Sequence, residues 1–201
     1  PCDVVALVEE VAGMFRPQAA EKLLKFDVHI DSTIPRYVLI DPTRLRQILT
    51  NLISNAIKFT QGGGVQISVQ REPSIDVLAP DDLAFSVADT GVGMTAEQIR
   101  QLFQPFQRLH QQTVPTPGTG LGLAISKRLA ELMRGRIAIE SEPDSGTRFT
   151  LVVPLDAVSP GNSALESGSS VFAGGIPPDL DPERVKKKLR GLKVLLVEDN
   201  P

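Results

Sequence analysis

The sequence predicts an α+β fold, with helices on one face of a mixed sheet. Two observations carry this. Segments with helical spacing and segments with strand alternation do not simply alternate: the order reads helix, two strands, helix, two strands, two helices, two strands. The segment 41-DPTRLRQILTNLISNAIKFT-60 also opens with an Asp N-cap and a Pro at the first helical position, a strong start signal.

The elements follow in order. Over residues 3–23, Val4, Leu7, Val8, Val11 and Phe15 recur at helical spacing behind a capping Asp3. In 25-KFDVHID-31, Phe26, Val28 and Ile30 alternate with Lys25, Asp27 and His29, as in a half-buried strand. A short strand, 37-YVLI-40, comes next. In the helix over 41–60, Leu45, Ile48, Leu49, Leu52, Ile53 and Ala56 form the buried stripe, and Gly62-Gly63-Gly64 ends it. Strands are expected at 65-VQISVQ-70 and 83-LAFSVAD-89, with 72-EPSIDVLAPDD-82 as the loop between them. Thr95 and Gln98 form a capping box for a short helix. Residues 107–117, with two prolines and no periodicity, read as a mobile loop. A helix starts at Leu121, with Leu123, Ile125, Leu129, Leu132 and Met133 on its apolar side. Strands 136-RIAIES-141 and 147-TRFTLVVP-154 close the domain.

Composition narrows the function. A net charge of −3 argues against nucleic-acid binding by bulk electrostatics, and no Trp with one Tyr leaves little for base stacking. No apolar run approaches the roughly 20 residues of a membrane helix. The single cysteine, Cys2, excludes an internal disulfide and suits a reducing, cytoplasmic setting. After Pro154 the chain turns rich in Ser, Gly, Pro and Asp. The expected organisation is a domain over 1–155, a flexible linker over 156–191 and a separate strand-like piece over 192–201. The stretch 183-ERVKKKLR-190 reads as a solvated linker helix.

Three segments carry chemistry. In 118-GTGLGLAISKRLAELM-133 a glycine loop runs into a helix N-terminus, where free N–H groups and the helix dipole favour an anion. It is neither a Walker loop, since Lys127 lies inside the helix, nor a Rossmann fingerprint, since the pattern is GxGxG; a plain hinge is the alternative. In 89-DTGVGM-94 an Asp leaves a strand ahead of Gly-x-Gly, which lets backbone approach a flat ligand while the carboxylate accepts a hydrogen bond. An adenine amino group is one such donor; an Asx turn is the alternative. On the helix over 41–60, Asn51, Asn55 and Lys58 share a face at spacings of four and three. Asn is a poor helix-interior residue, and a carboxamide oxygen suits Mg²⁺, which prefers few protein ligands and substrate phosphates; a plain polar helix flank is the alternative.

Together these segments resemble the catalytic ATP-binding domain of sensor histidine kinases, in the GHKL superfamily shared with DNA gyrase, MutL and one chaperone family. The resemblance runs over residues 1–154: 47-QILTNLISNAIKFT-60 is similar to the N box, 89-DTGVG-93 and 118-GTGLGL-123 to the two glycine boxes, 103-FQPF-106 to the F box, and 145-SGTRF-149 to the closing Gly-Thr element. It implies a Bergerat fold, a two-layer α/β sandwich with a mixed sheet of about five strands. It also implies roles. Asn55 is the Mg²⁺ ligand. Asn51 and Lys58 meet phosphates or metal-bound water. Asp89 recognises the adenine amino group, with Thr147 nearby through water, and Gly91 and Gly93 shape the pocket. Residues 104–118 are an ATP lid, with Arg108 able to reach the terminal phosphate. Gly118, Thr119, Gly120, Leu121 and Gly122 close over the phosphates.

Hydrolysing relatives usually carry Glu where this sequence has Asn51, and an amide is no base for water at neutral pH. The resemblance therefore implies transfer to a protein acceptor, with catalysis resting on positioning and charge neutralisation. The acceptor implied is a histidine on an upstream dimerisation and phosphoacceptor hairpin. Neither His29 nor His110 has that context, so the chain alone is not expected to autophosphorylate. The stretch 192-LKVLLVEDNP-201 resembles the first strand of a receiver domain, with Glu198 and Asp199 as its acidic pair. That implies a hybrid kinase, homodimeric as a whole while this piece is monomeric, signalling to a receiver in cis or a response regulator in trans. The alternatives are a regulatory module binding ATP or a nucleotide second messenger without transfer, and a hydrolytic GHKL ATPase.

Overall fold

The computed structural model describes residues 1–73, 81–102 and 121–156, all within the first of two units of the chain. The expected lid over 104–118, most of the loop over 72–82, the basic stretch over 183–190 and the receiver-like tail lie outside the described residues.

The described elements run β1 (Cys2–Asp3), α1 (Val4–Glu21), β2 (Lys25–Ile30), β3 (Tyr37–Val38), α2 (Pro42–Phe59), β4 (Gly64–Glu72), β5 (Asp82–Asp89), α3 (Ala96–Gln101), α4 (Gly122–Leu132), β6 (Arg136–Glu142) and β7 (Gly146–Pro154). Local chemistry explains the helix starts. Asp3 Oδ1 accepts from the Ala6 N–H at 2.9 Å. Asp41 Oδ1 accepts from the Thr43 and Arg44 N–H groups at 3.0 and 3.1 Å, ahead of Pro42. Thr95 and Gln98 complete the capping box in both directions, at 3.3 and 2.8 Å.

The main sheet has strand order β2-β4-β5-β7-β6. β2 and β4 pair parallel, and every other neighbour pair is antiparallel. A parallel pair needs a crossover, and α2 supplies it. The core faces one side of the sheet: Val65, Ile67 and Val69 on β4, Leu83, Phe85 and Val87 on β5, and Phe149, Leu151 and Val153 on β7 are all buried. α2 packs on β4 and β5, with α1 on one flank and α4 on the other. Its expected stripe is buried and extends to Ile57.

Two expectations need correction. The strand expected over 37–40 holds only for Tyr37–Val38, which pair with β1 in a separate two-stranded ladder. Leu39 leaves that ladder, exposed, and its N–H donates to the Asp156 carbonyl at 2.8 Å. On α4, Ile125 and Leu132 are exposed, while Ser126 and Ala130 are the buried residues. The row facing α2 is one of small residues, because the two helices approach closely there.

Candidate nucleotide site

Strand alternation places Asp89 on the core face of the sheet. Leu83, Phe85 and Val87 point under the helices, so Asp89, two residues on, does too. The register then builds a row across four strands. Asp89 stands opposite Val65 on β4 and Thr147 on β7, and Thr147 stands opposite Ser141 on β6. Asp89 Oδ1 accepts from the Gly91 N–H at 2.8 Å. Burial pushes the Asp89 carboxyl above its ordinary value, and the backbone N–H groups of Gly91 and Thr147 pull part of that back. A half-buried carboxylate at a strand end, held by backbone donors, is an acceptor suited to a ligand's N–H.

The loop after Asp89 is fixed on both sides. Thr90 Oγ1 donates to the Gly62 carbonyl and accepts from the Gly64 N–H, both at 3.0 Å, which ties it to the glycine run after α2. The Asp144 N–H donates to the Val92 carbonyl at 2.9 Å, which ties it to the β6–β7 turn. Gly93 sits at φ +63° with the Glu142 carbonyl against it, so a side chain there meets both strain and backbone.

The third wall is α2. Asn51, Asn55 and Lys58 are all partly exposed on one face. Asn51 Nδ2 donates to Ser126 Oγ on α4 at 2.9 Å, and its Oδ1 lies where a side chain on Gly122 would project. Asn51 is therefore a helix-contact residue as well as a candidate site residue. Lys58 Nζ lies 5.0 Å from the centre of the Phe59 ring. Lys22 Nζ, from the end of α1, donates to the carbonyls of Ile57, Lys58 and Thr60 at 2.7, 3.2 and 3.4 Å, capping the end of the same helix. Gly91 packs against the Phe59 carbonyl, so the end of α2 and the Asp89 loop meet.

α4 begins at Gly122, and its N-cap residue Leu121 supplies no side-chain cap; the first N–H groups of a helix have no acceptor within the helix itself. Arg108, Gly118, Thr119 and Gly120 lie outside the described residues. Among the described residues no cluster of three or more His, Cys, Asp or Glu could hold a metal ion. A cation here would take most of its ligands from substrate and water, which is how Mg²⁺ is commonly held, and the Asn55 carboxamide is the hard oxygen donor that fits it.

Three residues escape the sequence reading: Ser126, Ser141 and Lys22. The first two leave a signal. Gly122, Ser126 and Ala130 repeat at a spacing of four, a small-residue row that marks a close helix contact. Ile137, Ile139 and Ser141 share strand parity, so Ser141 points where the two isoleucines do. Lys22 leaves no such signal, because its partners belong to another helix.

The family model described as "Histidine kinase-, DNA gyrase B-, and HSP90-like ATPase" matches residues 40–157. The chain is 37% identical over 191 residues to the virulence sensor protein BvgS of Bordetella bronchiseptica, covering 94% of this chain and 14% of that protein. It is also 37% identical over 201 residues to the aerobic respiration control sensor protein ArcB of Escherichia coli K12, covering 99% of this chain and 23% of that protein. The chain thus spans less than a quarter of the length of either relative. Among solved structures, full-length ShkA in complex with AMPPNP superposes with a TM-score of 0.68 at 34% identity, covering 79% of this chain and 31% of that one. Among the described residues no helix is long and apolar enough to cross a membrane.

Proposed function

The chain belongs to the histidine kinase-, DNA gyrase B- and HSP90-like ATPase family, and we propose that it acts in a hybrid sensor kinase. In that protein it transfers the γ-phosphoryl group of ATP to a histidine on an upstream dimerisation and phosphoacceptor hairpin. The whole kinase works as a homodimer and passes the group to a receiver in cis or a response regulator in trans, while the present domain works in the cytoplasm. The observation that carries the reading is Asp89: a partly buried carboxylate at the end of β5, beside Thr147, on a strand against which α2 with Asn51, Asn55 and Lys58 packs.

Asp89 accepts from the exocyclic amino group of adenine, with Thr147 beside it. Gly91 and Gly93 bring backbone close to the ring. Lys58 and the first N–H groups of α4 around Leu121 and Gly122 meet the phosphates, with Gly118, Thr119, Gly120 and Arg108 completing that side. Asn55 holds Mg²⁺, whose chemistry is to neutralise phosphate charge. Asn51 fixes α2 against α4 and offers no base for water, which favours transfer over hydrolysis. All of these residues act by positioning and by charge.

Titration of the chain with a fluorescent ATP analogue and Mg²⁺ tests the binding half. Saturable binding that Asp89→Ala abolishes is expected; no binding, or binding indifferent to that change, sinks the reading. Labelled ATP with a separately expressed phosphoacceptor hairpin tests the transfer half, and a chain that binds ATP yet never labels the hairpin limits the function to nucleotide binding.

A further inference from the structure

We propose that Ser141 is a positioning residue that fixes the Thr147 hydroxyl as a hydrogen-bond acceptor, and so makes the site select a 6-amino purine over a 6-oxo purine. The proposal rests on the nucleotide reading above and names the device behind its base selectivity.

The argument is a count of protons. Ser141 Oγ donates to the Gly146 carbonyl at 2.9 Å. A serine hydroxyl has one proton, so that contact commits it. Ser141 Oγ also lies 2.9 Å from Thr147 Oγ1. With the serine proton spent on Gly146, the proton in this second bond is threonine's. Thr147 then has no proton left, and its lone pairs are what it offers. Thr147 is buried and stands opposite Asp89 in the register, on the same face of the sheet. Two acceptors side by side welcome an exocyclic N–H₂ in direct contact. A 6-oxo group would set a third acceptor against these two where a 6-amino group sets a donor, leaving only the ring N1–H to pair with them, a mismatch that weakens binding in a desolvated site.

Without the Ser141 hydroxyl, the Thr147 proton is free to turn toward the ligand. A threonine that donates satisfies a 6-oxo purine as readily as an accepting one satisfies a 6-amino purine. The residue acts through Thr147 and need not touch the nucleotide.

The test compares ATP and ITP, each with Mg²⁺, by direct binding to the folded chain. The wild-type chain is expected to prefer ATP. Ser141→Ala is expected to reduce the ATP-to-ITP affinity ratio by about tenfold, the loss of one hydrogen bond's discrimination. Ser141→Thr, which keeps the hydroxyl, should restore the ratio. In a Thr147→Val background, Ser141→Ala should leave the ratio unmoved. If Ser141→Ala does not fold, Ser141→Cys, whose thiol is a poor acceptor, carries the same expectation. A ratio unchanged in Ser141→Ala, or affinity lost equally for both nucleotides, overturns the proposal while the nucleotide reading stands. A wild-type chain that binds neither nucleotide overturns both.

Discussion

Asn51 on α2 and Ser126 on α4 are joined by a 2.9 Å hydrogen bond from Nδ2 to Oγ, and Gly122 one turn earlier leaves room for the same carboxamide. The bond ties the helix with the candidate phosphate-facing residues to the helix whose N-terminus faces them. Ser126→Ala should lower the unfolding free energy by about 1 kcal/mol, the usual net worth of such a bond. Asn51→Ala and Ser126→Ala should be non-additive in urea denaturation. Additive losses would show that the pair does not act as a unit.

Asp89 carries a pH signature. Burial raises its folded pKa above the ordinary 3.8, so the folded chain holds the proton to higher pH than the unfolded chain does. Stability from this group therefore falls as pH rises from near 3.8 through the folded value, and stays at the lower level at neutral pH. Asp89→Asn keeps an oxygen for the Gly91 N–H and removes the buried charge. Its Tm at pH 7 should equal or exceed the wild type's, with the advantage shrinking at pH 4, while ATP binding is lost. Calorimetry at the two pH values checks this, and a larger deficit at pH 7 than at pH 4 contradicts it.

Lys22 should matter to a helix it does not belong to. Its ammonium caps three carbonyls at the end of α2, from an exposed position where water weakens each bond. Lys22→Met, which keeps most of the stem, should cost about 1 kcal/mol. Hydrogen exchange should quicken in the last turn of α2 while α1 is little changed.

Gly93 admits no side chain cheaply. At φ +63°, with the Glu142 carbonyl against it, Gly93→Ala should destabilise the chain by roughly 1–3 kcal/mol. Gly13, where a side chain meets nothing within 4 Å, is the control, and Gly13→Ala should leave stability equal or higher. Chemical denaturation of the two variants side by side decides the matter.

Ligand and metal removal should separate. ATP with Mg²⁺ at 100 times its Kd should add about 2.7 kcal/mol of stability. EDTA should remove part of that gain in the wild-type chain and little of it in Asn55→Ala. Thermal melts with and without chelator measure this, and an equal EDTA effect in both chains rules Asn55 out as the cation's ligand.

Much of the site was legible because its residues sit at fixed offsets along single elements. Asn51, Asn55 and Lys58 follow from helical spacing on a segment whose start Asp41 and Pro42 announce. Asp89 follows from alternation along β5. A polar residue on an apolar helix reads as solvent-facing, which hides Ser126 from the sequence, and Ile125 reads as buried for the converse reason. Propensity alone does not weigh the close approach of α2, which favours a small residue over a large one. The strand over 37–40 stops at Val38 because its partner, β1, has only two residues.

The sequence by itself determined the helix starts, the strand parities, the family and the candidate ligand-facing residues, since all of these are short-range patterns of spacing and chemistry. The strand order β2-β4-β5-β7-β6, and with it the row Asp89, Thr147, Ser141, exists only in the folded chain. Asp89 and Thr147 are neighbours because β5 and β7 pair although α3, α4 and β6 lie between them in the chain. That register comes from burying the inner faces of both strands together, a global requirement that no local stretch contains.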